Sequence, residues 1–372
     1  MSLASFLRRP QTATAEATTT GAGAATASTR LYYASDIHGT ETLWRKFLGA
    51  AAAYRAGVLV MGGDVAGKVV VPLLRRDDPA AGGVPPATPG GGATETAGDT
   101  EVDAAAAHTP AWDFELFGQH QLLRGEDQAQ DAERRVRANG MYPHRMTAAE
   151  ARRVAALPEA DRERWFAQVM LETFARWLEL ADERLGDSDV RCFLMPGNDD
   201  PPGIDDALAH AHRVEACDER LVEFHGHEML SLGYSNITPF HSPRELHEDE
   251  LYRRVERLAE QLRSPERAVF NLHVPPYDST LDTAAELDND LRVVTIGAEP
   301  KLIPVGSTAV RELIQRYQPL VALHGHVHES PGAVHIGRTL CLNPGSAYHT
   351  GRISGCLVTL DRDRVRHQFV TG

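Results

Sequence analysis

The chain has 372 residues, enough for one large domain or two modest ones, and its 42% hydrophobic content suits a sizeable core. Lys and Arg total 38 against 52 Asp and Glu, so the formal net charge of -14 argues against nucleic acid as a partner. The chain contains no run of about 18 apolar residues, which argues against a membrane span. Its four cysteines lack metal-site spacing and are typical of a reducing compartment, so we expect a cytoplasmic protein.

Residues 1–30 are predicted to form a disordered tail. The stretch from 10 to 29 is rich in Ala and Thr and has no large apolar residue, so it cannot bury enough surface to become ordered. The Arg pair before it is not followed by the apolar segment of a targeting signal.

Residues 31–372 are predicted to form the folded domain. An apolar strand at 31–35, a helix at 40–56 and a second strand at 58–62 make a β-α-β unit, which predicts a parallel strand pair. A Gly- and Pro-rich stretch predicts a flexible insertion at about 77–111. Charged residues, with apolar residues recurring three and four apart, predict a helical insertion at about 112–185. Further strands and two more helices follow to the end of the chain.

Several of these apolar strands end abruptly in side chains that bind metals. The carboxylate, amide and imidazole groups concerned are those of Asp36, His38, Asp64, Asn198, His273, His326 and His328. Because α/β sheets place their ligands at the carboxyl ends of strands, we expect these groups to converge. Two divalent cations repel each other, and a bridging Asp carboxylate offsets that repulsion. The sequence therefore predicts a dinuclear centre for phosphoester hydrolysis, holding two divalent ions of Mn, Fe or Zn.

Five short blocks resemble, in the same order, the motifs of the calcineurin-like metallophosphoesterase superfamily. The blocks are DIHG, GGDVAGK, PGNDD, NLHVPP and HGHVH. The resemblance spans roughly residues 31–350 outside the insertion, and the GDxxGK and GNDD patterns are similar to those of a bacterial and archaeal subgroup. It implies a four-layer α/β/β/α sandwich with two packed mixed β-sheets, the metallophosphoesterase fold.

The resemblance also implies which residues hold which metal. The first metal takes Asp36, His38, Asp64 and His328. The second metal takes Asp64, Asn198, His273 and His326, so Asp64 bridges the two. His324 lies outside the motif, and we expect it to be structural.

Asp199 marks a departure from the family, because many members carry there a His that contacts the phosphate and protonates the leaving group. An Asp beside two cations is ionised and a poor general acid. Asp199 and Asp64 are our catalytic candidates, and His241 and His349 are alternative proton donors to be weighed against surface or core roles. Lys68 is either a phosphate contact or a solvated loop lysine.

The expected function is metal-dependent phosphoester hydrolysis. The signatures GDxVDRG and GNHE of protein phosphatases are absent from the sequence. We therefore expect a phosphodiesterase that uses a metal-bound hydroxide on a small molecule or nucleotide. A phosphomonoesterase or nuclease of the same fold stays open, as does a non-catalytic scaffold. The insertion fits either a lid or an oligomer contact.

Overall fold

The computed structural model describes residues 28–76 and 109–372. Most of the predicted tail and most of the predicted flexible insertion lie outside these residues. The helices of the described part are α1 (Glu41–Tyr54), α2 (Gly125–Ala138), α3 (Ala148–Ala155), α4 (Glu159–Leu185), α5 (Ile204–Leu208), α6 (Glu248–Ala259) and α7 (Thr308–Tyr317). None of them is both long enough and apolar enough to cross a membrane.

Single strands or runs of several strands lie between most of these helices. In the first half they are β1 (Thr29–Ala34), β2 (Val58–Met61), β3 (Val70–Arg76), β4 (Ala111–Leu116), β5 (Gln119–Arg124), β6 (Tyr142–Thr147), β7 (Arg191–Leu194), β8 (Glu215–Ala216), β9 (Arg220–Phe224), β10 (His227–Leu232), β11 (Ser235–Asn236) and β12 (Glu245–Leu246). In the second half they are β13 (Val269–Leu272), β14 (Thr283–Ala285), β15 (Thr295–Ile296), β16 (Glu299–Pro300), β17 (Leu302–Pro304), β18 (Val321–Leu323), β19 (Gly332–Ile336), β20 (Thr339–Asn343), β21 (Ser354–Leu360) and β22 (Val365–Thr371).

Two six-stranded sheets form the centre of the molecule. The first has the order β22-β21-β1-β2-β7-β8, and the second has the order β19-β20-β18-β13-β10-β9. The inner strands β1, β2 and β7 run parallel, as do β10, β13, β18 and β20, whereas the outer strands β21, β22, β9 and β19 are antiparallel. Both sheets are therefore mixed. The inner strands β2, β7 and β13 are largely apolar and are buried except for Arg191, as expected for strands covered on both faces.

Alternation along the strands explains the layers. Tyr33 and Val60 of the first sheet pack against Val269 and Leu323 of the second, so one face of each sheet forms a shared core. The opposite face of the first sheet, which includes Tyr32, packs against α1 and α4. The opposite face of the second sheet packs against α6 and α7. This is the predicted α/β/β/α sandwich, and the fold prediction is confirmed.

The prediction of a purely helical insertion at 112–185 was wrong in part. Strands β3 to β6 form a separate four-stranded sheet with the order β5-β4-β3-β6, and α2 packs on one of its faces. Alternate residues Trp112 and Phe114 are buried there, which is a strand period rather than a helical one. The strands β4 and β5 join through Phe117 and Gly118, both with positive φ, as a tight hairpin requires. The strand β1 also starts at Thr29, earlier than predicted, because Thr29 pairs with Leu360.

Helix α1 is fixed to α4 by two tryptophans. Trp44 is fully buried, its ring stacks on that of Trp177 at 5.9 Å between centroids, and its indole N–H donates to the carbonyl of Trp177 at 2.9 Å. This contact secures the helix that follows directly on the loop carrying Asp36 and His38.

We expect Trp44→Ala to lower the free energy of unfolding by about 3–5 kcal/mol, because it leaves a cavity in the core and removes the indole hydrogen bond. Urea denaturation followed by circular dichroism measures the change. Phe240→Ala is the control, since its side chain is 63% exposed and its loss is expected to cost no more than about 0.5 kcal/mol. Equal losses for the two variants would contradict this role of Trp44.

Candidate metal centre

The seven predicted metal ligands lie together where the inner strands of the two sheets end. Asp36 and His38 follow β1, and Asp64 follows β2. Asn198 follows β7. In the other sheet, His273 follows β13, and His326 and His328 follow β18. Five of the seven side chains are buried, whereas His326 and His328 are half-buried and face the opening of the crevice. The convergence expected from the sequence is therefore present.

A first cluster gathers Asp36, His38 and His328. The Nε2 atoms of His38 and His328 are 3.0 Å apart, and His328 Nε2 is 3.3 Å from Asp36 Oδ1. Asp64 Oδ2 lies 3.8 Å from His38 Nε2. These atoms surround one small space with two imidazole nitrogens and two carboxylates.

A second cluster gathers Asn198, His273 and His326. Asn198 Oδ1 is 3.1 Å from His273 Nε2 and 2.7 Å from His326 Nδ1. Asp64 Oδ2, the same oxygen that lies beside His38, is 3.4 Å from His273 Nε2. Asp64 thus lies between the two clusters, at the position of a bridging carboxylate.

The electrostatics of the centre call for positive charge. Burial disfavours the charged imidazole of His273, but the attraction of Asp64 outweighs it and raises the pKa of His273 to about 10. Burial also opposes ionisation of Asp64, yet the attraction of His273 and the other histidines lowers the pKa of that carboxyl. In the metal-free protein a proton on His273 thus supplies charge that a cation would supply instead.

The orientation of the imidazoles also fits divalent cations. The Nδ1–H of His273 donates to the carbonyl of Gly62 at 2.8 Å, which leaves Nε2 facing the centre. Two imidazole nitrogens only 3.0 Å apart, as in His38 and His328, repel each other unless a proton or a cation lies between them. Nitrogen and oxygen donors of this kind suit divalent transition metals.

The ligand loops contain residues with left-handed backbone. Asp36, Asp64 and His326 have φ of 58°, 50° and 65°, and His38 has 39°. Left-handed conformations are unfavourable for these residues, and they persist where surrounding structure enforces them. Four of the seven ligands share this feature, so the loops are shaped for the side chains they present.

Two motif glycines are required by close packing at the centre. A Cβ atom at Gly197 would lie 2.1 Å from Asp64 Oδ1, and one at Gly325 would lie 2.3 Å from Asp36 Oδ2. Both contacts are far shorter than van der Waals distance. The glycine before Asn198 and the glycine before His326 therefore make room for the carboxylates.

Asp199 and Lys68 come together beside the first cluster. The Asp199 carboxylate pairs with the Lys68 ammonium and accepts a hydrogen bond from the Ser242 hydroxyl. The Asp199 backbone N–H donates to Asp64 Oδ1 at 2.9 Å. Burial acts to lower the pKa of Lys68, but hydrogen bonding and attraction by Asp199 raise it. Lys68, the predicted substrate contact, is thus a cation that pairs with Asp199 at the edge of the centre.

The remaining histidines of the sequence analysis lie elsewhere. His324 is fully buried, its Nδ1 donates to the carbonyl of Leu272 at 2.8 Å, and burial lowers its pKa to about 4. It is a neutral structural residue. His241 and His349 are both exposed, and no hydrogen bond among the described residues joins either one to the seven ligands.

Sequence reasoning missed Asp200, a fully buried carboxyl that joins two ligand loops. It accepts hydrogen bonds from the N–H groups of Gly197 at 2.7 Å, Ala66 at 2.7 Å and Val65 at 3.1 Å. Burial and repulsion by Asp64 raise its pKa to about 7, and the three N–H groups oppose that rise. The second Asp of PGNDD was its only signal in the sequence.

Tyr348 is a second residue that sequence reasoning missed. Its ring lies 4.8 Å from the His38 ring and 5.8 Å from the His328 ring, measured between centroids. It is half-buried and forms one wall of the first cluster. It ends the turn NPGSAY, which begins at the end of β20.

Comparisons with known proteins give the following similarities. No protein-family model matches the chain. An uncharacterized protein of Methanocaldococcus jannaschii is 28% identical over 198 residues, covering 50% of this chain and 82% of that protein. The structure of TT1561 from Thermus thermophilus matches with a TM-score of 0.45 and 12% identity, over 92% of this chain and 99% of that one. A dimetal phosphatase from Danio rerio matches with a TM-score of 0.39 and 9% identity, over 92% and 98%. The roles of individual residues rest on the distances given above.

Asp200→Asn is expected to weaken the junction between the two ligand loops. The Asn amide has only one oxygen, so its NH₂ group faces at least one backbone N–H that donates to the carboxylate of Asp200. We therefore expect the free energy of unfolding to fall by about 1–3 kcal/mol. We also expect weaker Mn²⁺ binding in calorimetric titration.

Asp206→Asn, on the exposed side of α5, is the matched control and should change neither quantity. Unchanged stability and Mn²⁺ affinity in Asp200→Asn would refute the role of Asp200.

Proposed function

We propose that this chain is a metal-dependent phosphodiesterase acting on a small molecule or nucleotide, given its α/β/β/α sandwich and five sequence blocks that resemble the motifs of the calcineurin-like metallophosphoesterase superfamily. One observation carries the proposal: Asp64 Oδ2 is shared by two histidine-containing clusters, 3.8 Å from His38 Nε2 and 3.4 Å from His273 Nε2. A single carboxylate between two sets of nitrogen and oxygen donors is the arrangement that a pair of cations requires.

The ligand sets follow from the two clusters. One ion takes Asp36, His38, Asp64 and His328, and the other takes Asp64, Asn198, His273 and His326. When bound, two such ions polarise phosphoryl oxygens and lower the pKa of a coordinated water toward neutrality. The protein contributes ligands fixed by strained loops and by second hydrogen bonds, such as that from His273 to Gly62.

Lys68 and Asp199 determine how the phosphate lies in the centre. The Lys68 ammonium is the cation available to a phosphate oxygen at the rim. The Asp199 carboxylate accepts from both Lys68 and Ser242, so its geometry is that of an acceptor rather than a proton donor. Reactions whose leaving group departs with little protonation are therefore favoured.

The same carboxylate supports a diester over a monoester. A phosphodiester carries one negative charge and a monoester carries about two near neutral pH. Repulsion by Asp199 beside the first cluster is then larger for the monoester.

The non-catalytic alternative is disfavoured because all seven ligands are present and converge.

Metal dependence is the first test of this proposal. Metal-stripped protein should hydrolyse bis-p-nitrophenyl phosphate only after Mn²⁺ is restored, and faster than it hydrolyses p-nitrophenyl phosphate. Asp64→Asn should lower the restored diester activity by at least about 100-fold, because a neutral amide does not offset the repulsion of two cations.

Asp206→Asn again serves as the control and should retain full activity. Elemental analysis of the purified proteins gives the bound metal in parallel. An Asp64→Asn protein that keeps two metals and full turnover would rule out the bridging role.

Asp199→His tests the place of the missing general acid. We expect the His variant to hydrolyse phenyl esters, whose phenolate is a poor leaving group, about 10-fold faster or more. We expect little change in its rate on p-nitrophenyl esters, because general acid catalysis matters most for poor leaving groups. Asp199→Asn removes the same negative charge without supplying a proton, so it separates the two effects. Equal changes on both leaving groups in the His variant would show that this position does not supply an acid.

A further inference from the structure

An open apolar groove lies on the inserted four-stranded sheet. The groove has a volume of about 440 Å³ and lies along β3 and β4. Val71 and Phe114, which belong to the cluster under α2, also line it, so the groove is not confined to one face of the sheet. Its apolar lining includes Val69, Val70, Pro72, Leu74, Phe117 and Met141.

Two of these side chains are unusually open to solvent for apolar residues. Val69 is 48% exposed and Phe117 is 72% exposed. Exposed apolar surface around a concave site is a common feature of ligand-binding grooves.

One end of the groove is joined through the chain to the lysine loop beside the metal centre. Val69 directly follows Lys68, whose ammonium pairs with Asp199 beside the first cluster. The backbone N–H of Gly67 donates to the Tyr142 hydroxyl at 2.7 Å, which ties the lysine loop to the inserted sheet.

Met141 provides a second link at the same end. It follows Gly140, where a Cβ atom would lie only 2.4 Å from the carbonyl oxygen of the metal ligand His38. Val69 and Met141 are thus each one residue away from a segment that contacts the centre.

The charges along the groove define what it accepts. No Lys or Arg is among its lining residues, and its polar side chains are Asp113, Glu115 and His120. Asp113 is already paired with Arg76 at 2.8 Å and with His120 at 3.4 Å. A second phosphate would meet the carboxylates without a lining cation, whereas an uncharged apolar group would bury surface against Val69 and Phe117.

We propose that this groove binds the apolar ester group, aryl or alkyl, of a phosphodiester whose single phosphate lies at Lys68 and the metal centre. This inference rests on the proposed phosphodiesterase function. It makes the inserted sheet the part of the protein that selects the substrate.

The test compares two diesters that share one leaving group. Methyl p-nitrophenyl phosphate and 1-naphthyl p-nitrophenyl phosphate differ only in the group that would occupy the groove. In the full chain with Mn²⁺ restored, the double variant Val69→Ser with Phe117→Ser should lower kcat/KM for the naphthyl ester by about 10-fold. The value for the methyl ester should stay within about twofold. Phe369→Ser, a 40% exposed residue on β22, is the control and should change neither substrate.

Binding of inert analogues separates failure of the groove from failure of the enzyme. Ethyl(methyl)phosphinic acid and methyl(1-naphthylmethyl)phosphinic acid, in which P–C bonds replace both ester bonds, are titrated calorimetrically into the Mn²⁺-loaded protein. If no diester is turned over but the naphthylmethyl analogue binds more tightly and the double variant abolishes that advantage, the groove stands and the proposed function fails. A naphthylmethyl analogue that binds no more tightly than the ethyl analogue, or equal losses for both in the double variant, would overturn the inference.

Discussion

The buried carboxylate of Asp64 is the constraint around which the rest of this structure is arranged. An ionised carboxyl group out of water is stable only with opposite charge and hydrogen bonds close to it. Here those partners are His38, His273 and the backbone N–H of Asp199, drawn from loops that are distant in the sequence. Bringing these loops together demands left-handed backbone and a glycine at position 197. Such strain is tolerated because the two packed sheets hold every loop from both sides.

The sandwich architecture supplies the convergence. Parallel inner strands in both sheets place their carboxyl ends at one edge, so a side chain just after each strand faces the same crevice. Asp200 then joins the loop after β2 to the loop after β7 through backbone hydrogen bonds. This junction fixes the distance between Asp64 and Asn198. The metal centre is thus a property of loop packing as much as of the ligands themselves.

Local patterns in the sequence predicted the β-α-β opening and the candidate ligands, whereas the sandwich was implied by the family resemblance. Apolar runs followed directly by Asp, Asn or His are visible without a structure, and their order limits the folds that fit. Residues 111–124 were harder, because Trp112 and Phe114 alternate for only a few positions within a charged segment. Asp200 gave little signal because its partners are backbone N–H groups, which every sequence possesses. The groove lies along β3 and β4, and their pairing joins residues about 40 positions apart in the sequence.

The chemistry and the selection of substrate are separated in this molecule. All seven candidate ligands come from loops of the sandwich, whereas the groove is built on the inserted sheet. Lys68 lies at the junction, between Asp64 and the first strand of the insertion. In the proposed reaction, a phosphate held there would be presented to the metal ligands on one side, and its ester group would extend over Val69 on the other. Because the insertion supplies none of the ligands, changes in it alter which ester is bound without altering the donor set of the centre.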